Sequence, residues 1–456
     1  MTRNAWRWLL VFVLVPLAAW GQQSGTQDTG TATASAPART TVNVYGSGVE
    51  DRPSLADAGF VHNFLFLGAD LSSRYDDNVR QTNSGRIADT GFVVSPEIAF
   101  RHEGGRVALA FRYRPTLLFY RHETGYDEQD HDLGFDGSLR ATERLSFRAR
   151  TDVVDRTGLL QSFWEPAALP ALGPPGHLND TVITPFANEF ENNSRADMTY
   201  EVSARAELGV FTTYMLRSFG QPAQPQVTLF ETEGRSAGAR YVYRTTARTT
   251  LGLVYTHEEL HIGPRTRLGM DTPSVGLTLA LSPNVVLDVY GGPVYTRLRD
   301  TILLPLDPLV TLAFPNDRND WRWAAGGGVT LRSGQTQLRL SGSHEVSDGG
   351  GLLDAVTSEM AEASLERRLT RKWTVGWTAG WERNASLPSA LLQGSLEGEY
   401  GRIVVRHSIT ERVSAEAGYQ FQRQRESGPA PIGANFDRNF VYITLTYQFK
   451  NIPLGR

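Results

Sequence analysis

Five residues, His257-Glu258-Glu259-Leu260-His261, match the H-E-x-x-H pattern of zinc hydrolases. On a helix the two histidines would share a face about 6 Å apart and ligate zinc, with the glutamate as general base. Here the pentapeptide continues an alternating run, Leu251, Leu253 and Tyr255, and stops at Gly263-Pro264. On a strand, residues four apart lie about 13 Å from each other and cannot share one metal ion. The expectation is the upper rim of a strand entering a loop. Asp76 with Asp77, and Asp127, Glu128, Asp130 and Asp132, form acidic clusters without the spacing of a calcium-binding loop. They read as solvated loop tips. No Ser and His stand at a diagnostic spacing, and there is no Cys to serve as nucleophile, thiolate ligand or disulfide partner. The expectation is therefore no enzyme, no metal site and no cofactor.

The elements that position these residues are best read from polarity. The chain has 456 residues, of which 21% are charged, and a net charge of −4. That near balance gives no pull toward nucleic acid. A mean hydropathy of −0.30 is too polar for a bundle of membrane helices. It suits a barrel, in which every second strand residue meets lipid.

The N-terminus reads as an export signal, residues 1–21. Arg3 and Arg7 precede the apolar run Leu9 to Ala19, and Ala19-Trp20-Gly21 offers small residues around a cleavage site. The run is short of the roughly 20 apolar residues of a spanning helix. Without a Cys the chain cannot be a lipoprotein. Residues 22–63 are expected to be a flexible periplasmic segment, since Gln22 to Thr41 is rich in Gln, Ser, Thr, Ala and Gly. Thr41-Val42-Asn43-Val44-Tyr45 faintly resembles a TonB box, but reads better as extended chain before the first strand.

From Phe64 to Phe449 the dominant period is two. Val107, Leu109, Phe111, Tyr113, Pro115, Leu117 and Phe119 alternate with Arg112, Arg114 and Thr116; Val441, Ile443, Leu445, Tyr447 and Phe449 alternate with Thr444, Thr446 and Gln448. One face meets an apolar medium and the other a polar one. Runs of about 10 to 15 residues exceed the strands of a soluble sandwich and suit tilted membrane strands. Short turns fall near Gly104, Thr142, Thr246, Ser282, Ser333, Thr370 and Thr410, and longer loops are expected over Arg156 to Ser194 and Asp300 to Arg318. The fold expected is all-β, a single antiparallel transmembrane barrel of about 18 strands with short periplasmic turns and long external loops. Residues 450–456 form a short C-terminal tail.

Alternation also assigns the lumen face. The pore-lining candidates are Arg112, Arg114, Arg148, Arg150, Asp152, Glu201, Arg205, Arg240, Arg244, Asp288, Arg339 and Glu416, with Glu97, Arg101, Asp136, Arg140, Glu345 and Gln420 on the same face. Arg112 with Arg114 on the third strand, and Arg148 with Arg150 on the fifth, form a basic strip. It is either an Arg–acid ladder that stiffens the wall or a device that biases solute passage.

Tyr75-Asp76-Asp77-Asn78-Val79 after the first strand, the turn Leu369-Thr370-Arg371-Lys372-Trp373 and the aromatic ending carry a resemblance. They resemble the outer-membrane β-barrel porin family associated with exopolysaccharide assembly, over Phe64 to Phe449. The resemblance implies a single barrel with a role in polysaccharide export and no catalytic residues. Tyr447-Gln448-Phe449 resembles the terminal signal read by the barrel-assembly machinery, with Tyr447 and Phe449 as its aromatic positions. Expected partners are outer-membrane lipid, that machinery and polysaccharide or periplasmic export components. The function expected is passive passage of hydrophilic solutes or exported polysaccharide. The alternatives are a barrel plugged by residues 156–194 and serving as an adhesion or assembly scaffold, and, lower, an outer-membrane enzyme. The pentapeptide gives the first test: purified protein should carry no stoichiometric zinc, and a zinc-dependent activity lost on Glu258→Gln would restore the hydrolase.

Overall fold

The computed structural model describes residues 63–156, 182, 187–220, 229–307, 310–388, 394–428 and 435–454. The export signal, the 22–63 segment (save Asn63) and most of the 156–194 loop lie outside these residues. The described chain is one closed antiparallel β-barrel of 18 strands plus a two-residue strand at its end. The strands are β1 Asn63–Asp76, β2 Asp89–Glu103, β3 Val107–Tyr120, β4 Glu128–Arg140, β5 Leu145–Arg156 and β6 Glu189–Ser203. Next come β7 Ala206–Phe219, β8 Thr232–Arg244, β9 Thr249–Ile262, β10 Thr266–Ser282, β11 Val285–Asp307 and β12 Val310–Ser333. The circuit ends with β13 Thr336–Gly349, β14 Leu353–Arg368, β15 Trp373–Ser386, β16 Ser395–Ser408, β17 Val413–Ser427, β18 Phe436–Gln448 and β19 Ile452–Pro453. Each strand pairs with its chain neighbour, and β1 closes on β18 from Gly68↔Gln448 to Asp76↔Phe440. Closure leaves no edge within the barrel wall. Past β18, the Phe449 amide donates to Leu67 O (2.9 Å) and β19 prolongs the seam against Phe64 and Leu65.

One rim carries only short connections, residues 104–106, 141–144, 204–205, 245–248, 283–284, 334–335, 369–372 and 409–412. Their chemistry repeats. A Ser or Thr hydroxyl accepts the backbone N–H two or three residues on, as Thr142 does from Leu145 (3.0 Å), Thr370 from Trp373 (3.1 Å) and Thr410 from Val413 (3.0 Å). Such a hydroxyl closes the turn without a glycine. Ser203 does the same for Ala206 (3.1 Å), at a turn absent from the sequence reading.

The opposite rim corrects two loops. β6 begins at Glu189, so the 156–194 loop is shorter than expected. Asp300 to Arg318 is no loop. β11 and β12 stay paired from Asp300↔Asn316 to Asp307↔Val310. Three prolines, Pro305, Pro308 and Pro315, disguised this hairpin in the sequence. Pro305 and Pro315 are tolerated because β10 leaves β11 at Arg299 and β13 leaves β12 at Ala325. Above those points the hairpin is a ribbon with free edges, where proline removes no ladder bond.

The barrel's outer face is apolar and exposed: Leu71, Phe92, Leu253, Val275 and Ile443 are each more than half exposed. Aromatic residues mark its two margins, Tyr200, Tyr243, Trp373 and Tyr447 toward the short-turn rim and Tyr75, Tyr255 and Trp321 toward the other. Inside, large side chains cross onto glycines. Tyr400 lies over its rung partner Gly380, and Tyr442 over Gly418. A Cβ at either glycine would sit 2.2–2.3 Å from the tyrosine ring. The ring fills the space that the missing side chain leaves, as in aromatic rescue of strand glycines.

Facing is open to test on one strand. Ile443→Arg puts a charge on the apolar face and should cost about 2–4 kcal/mol in refolding into lipid vesicles. Thr444→Arg, on the interior face, should cost much less. Equal costs in urea titrations of the two variants would refute the assigned faces.

Candidate pore wall

The interior face is built by the same alternation, and it is polar. Arg112 on β3 donates to Asp132 on β4 (3.0 Å), and Arg114 reaches Asp70 on β1 (2.7 Å). Arg148 on β5 pairs with Asp136 on β4 (2.6 Å), and Arg150 with Asp152 on its own strand (2.7 Å). Arg150 stands directly opposite Arg195 of β6. Like charges on one rung repel. Each guanidinium turns instead to an aspartate two residues along, Arg195 to Asp197 (2.9 Å). Asp197 also receives Arg240 of β8 (2.9 Å). The four arginines of the sequence-derived strip thus share one wall, and each has a carboxylate partner. These pairs are partly exposed to the interior.

The remaining candidates separate. Glu416 on β17 accepts from Arg402 (3.1 Å) and Arg406 (2.7 Å) of β16, with the Tyr442 hydroxyl donating at 2.9 Å. Asp288 accepts from the Thr278 hydroxyl (2.8 Å). Arg339 lies on the interior face of β13 beside them. Glu201 and Arg244 sit at the short-turn rim, exposed. Arg205 is a correction: it lies in the two-residue turn between β6 and β7, not on the wall. Tyr447 faces outward, and Phe449 follows β18 edge-to-face against it, ring centroids 4.8 Å apart. The H-E-x-x-H segment lies on β9. His257 and His261 point to the outer face, and Glu258 faces the interior. His257 Nδ1 meets Asp271 Oδ1 at 2.8 Å.

Toward the long-loop rim the interior closes up, which the sequence reading missed. Of the six acids expected at loop tips, Asp127 is exposed in the β3–β4 connection, Asp77 and Asp132 are half-buried, and Asp76, Glu128 and Asp130 are buried. Asp76 accepts Arg438 Nε (2.9 Å), the Tyr120 hydroxyl (3.1 Å) and the Asn78 amide (3.0 Å). Arg438 and Tyr120 come from strands far away in sequence, which no local pattern reveals. On the other side the β13–β14 tip leans inward. Leu352, Leu353, Ala355 and Val356 have no exposed surface. Val182 and Leu396 pack on the tip, and Phe230 N donates to Gly351 O (2.8 Å). Ala355 and Leu387 complete a cluster with Met215, Leu260, Leu268, Met270 and Leu298 on the interior face of β7 to β11. Arg217 of β7 ties the tip down, reaching Asp348 (3.3 Å) and Glu189 (2.9 Å). The sequence does carry a signal: Gly349-Gly350-Gly351-Leu352-Leu353 puts leucines where an external turn should be polar.

No family model matches the chain, and no curated protein matches it. Among solved structures, OccK2 (OpdF) of Pseudomonas aeruginosa in complex with glucuronate is 12% identical, with a TM-score of 0.41 over 85% of this chain and 98% of that one. OpdQ of the same organism is 9% identical, TM-score 0.43, over 85% and 97%. OccAB3 of Acinetobacter baumannii is 8% identical, TM-score 0.41, over 86% and 99%. Likenesses this weak carry no argument about what passes through the barrel.

Arg217→Ala would take from buried Asp348 the guanidinium it meets at 3.3 Å, while Glu189 keeps Arg156 (3.5 Å). Breaking such a pair costs about 3–5 kcal/mol when the remaining charge cannot reach water. The expected result is a lower urea midpoint together with new protease cleavage near residues 349–353. An unchanged midpoint and cleavage pattern would show that the tip is held by its leucines alone.

Proposed function

We propose that the chain is an outer-membrane barrel that passes hydrophilic solutes, with the short-turn rim in the periplasm. One observation carries the reading: a closed ladder with apolar side chains outward and ion-paired, partly exposed charges inward. A wall of that kind suits lipid on one side and water on the other. No lipid-facing position could hold the arginines of β3 and β5 at the midplane without about 2–4 kcal/mol each. Each of the four has a carboxylate partner, so the wall stiffens first and selects second. The net preference for anions is small. Exported polysaccharide is the finer version of this reading, resting on the family resemblance.

A second reading has its own observation. The inward β13–β14 tip and the Asp76–Arg438 network narrow the outer half of the interior, which favours a barrel closed at that end until the tip moves. A scaffold role follows if it never moves.

Planar-bilayer recording separates these readings. Wild-type protein should conduct, with a reversal potential in a salt gradient slightly on the anion side. Arg112→Ala with Arg148→Ala should shift it toward cations, because Asp132 and Asp136 lose their partners. Unboiled protein should also migrate differently from boiled protein on a denaturing gel. Absence of conductance in a heat-modifiable barrel would reject the pore and leave the scaffold.

A further inference from the structure

The eight short turns share one position, the residue just before the next strand. In each turn its carbonyl accepts from a backbone amide at the end of the strand alongside. Arg106 O accepts from the Arg140 amide (2.7 Å), and Lys372 O from the Ser408 amide (2.8 Å). Only the backbone of this residue is used. The turn itself is closed by a hydroxyl two residues earlier, as Thr246 does for the Arg248 amide (3.1 Å) and Thr410 for the Arg412 amide (3.1 Å). Any side chain would serve, yet six of the eight are cations: Arg106, Arg144, Arg205, Arg248, Lys372 and Arg412. The other two are Asn284 and Gln335, and the amides that they accept belong to Arg332 and Arg368. Every turn around the rim therefore has a cation at this level.

The cations share a face as well as a level. Counting back by twos from the inward Arg112, Arg148, Met215, Glu258, Gly380 and Glu416 arrives at the six turn residues, so all have the parity of the interior. Arg332 and Arg368 are the last inward residues of β12 and β14. Arg106 and Arg205 stand beside further arginines, Arg140 and Arg244. All of these cations are exposed, and among the described residues none has an ion pair. The acids of this face do not balance them. Glu103 is held by Arg101 and Glu207 by Arg240, which leaves Glu201 and Glu366. Glu143 and Glu411 share turns with Arg144 and Arg412 but have the opposite parity. The wall above differs, since each arginine of the β3–β5 strip meets a carboxylate. The uncompensated charge stands at the mouth.

We infer that the short-turn mouth captures solutes that carry several phosphate or carboxylate groups. A ring of one sign around an opening focuses its field there and concentrates counter-ions. Arginine forks suit phosphate and carboxylate oxygens. A single exposed charge contact is worth little, so a solute with one anionic group gains little from the ring. A solute with several groups meets cations of neighbouring turns together. Lipid headgroups offer the same chemistry, but the interior parity turns these cations from the lipid-facing side. The inference rests on the channel reading proposed above, in which this mouth faces the periplasm and receives solutes from there.

Single-channel chloride current is recorded in phosphatidylcholine bilayers at about 0.1 M salt, where charges act over about 10 Å. Inorganic tripolyphosphate is added to one chamber and then to the other. It should block from one side at a concentration roughly ten-fold lower than from the other, the size expected of a few exposed charge contacts. The difference should vanish at about 1 M salt, where the screening length falls to about 3 Å. Arg106→Gln with Arg248→Gln, Lys372→Gln and Arg412→Gln should abolish it while leaving heat-modifiable migration unchanged. Arg121→Gln with Arg267→Gln and Arg299→Gln, at the other rim, should leave it in place. Equal block from both sides, or sided block that survives the four ring substitutions, overturns the inference. Calorimetry on the barrel in neutral detergent tests the ring without current. Tripolyphosphate should bind, the four ring substitutions should remove binding, and short-chain phosphatidylglycerol should not bind. Absence of tripolyphosphate binding, or a preference for the lipid, overturns the inference. A heat-modifiable barrel that binds tripolyphosphate through the ring but never conducts keeps the capture site and rejects the channel.

Discussion

Everything in this molecule depends on the β1–β18 ladder. A strand wall with an apolar outer face cannot leave its backbone donors and acceptors to that medium, where each unsatisfied group costs several kcal/mol. The chain must return to its own first strand. It does so over Gly68↔Gln448 to Asp76↔Phe440 and then continues past the last full strand, so that β19 meets Phe64 and Leu65. Length, tilt and side-chain facing follow from that closure. A slip of one residue anywhere would turn Ile443 inward and Arg438 outward, and every later strand with them.

Closure also forces the interior to balance its own charges. Arginine within the apolar band has to face in, as Arg112, Arg114, Arg148 and Arg150 do, and each is met there by a carboxylate. The solution differs with depth. Near the short-turn rim the pairs are partly exposed, and each is worth little to stability. Near the other rim Arg438 with Asp76, and Arg217 with Asp348, are buried, where losing one member is costly because the other cannot reach water. The same pairing rule therefore produces a wet wall at one end and a locked network at the other.

How much of this was legible in the sequence depends on how local the signal is. Period two fixed the faces because each strand reports its own environment: Arg112 and Arg148 were placed on the third and fifth strands, where they stand. Most short turns are legible because they are local: Thr142, Thr246, Ser282, Thr370 and Thr410 each close one with a hydroxyl, and glycines make those at 104 and 334. The H-E-x-x-H segment was correctly assigned to a strand from its flanking alternation. The failures were non-local or masked. Asp76 reads as a loop acid until Arg438, 362 residues away, is brought beside it. The β11–β12 extension was hidden because its prolines signal a loop and its edges are free. Arg205 was misplaced by counting alternation through a turn that has neither glycine nor proline.

The inward tip of β13–β14 and the free edge of β12 have one origin. β12 pairs with β13 only from Ser333↔Thr336 up to Ala325↔His344, whereas it stays with β11 to its far end. A strand released from one neighbour is free to follow the other. β13 therefore follows β14 into the interior, and β12 rises with β11. The parting begins at the aromatic margin, where Trp323 stacks on His344 with ring centroids 3.7 Å apart and Trp321 stands exposed above it. That level is where the apolar band ends. Backbone groups unpaired above it can be satisfied by water, and the same parting one turn of the ladder lower would expose them to the apolar medium. The Trp323–His344 stack thus caps the last paired rung at the height where a split in the wall becomes tolerable. The inward lean that narrows the barrel is possible because the split occurs there and no deeper.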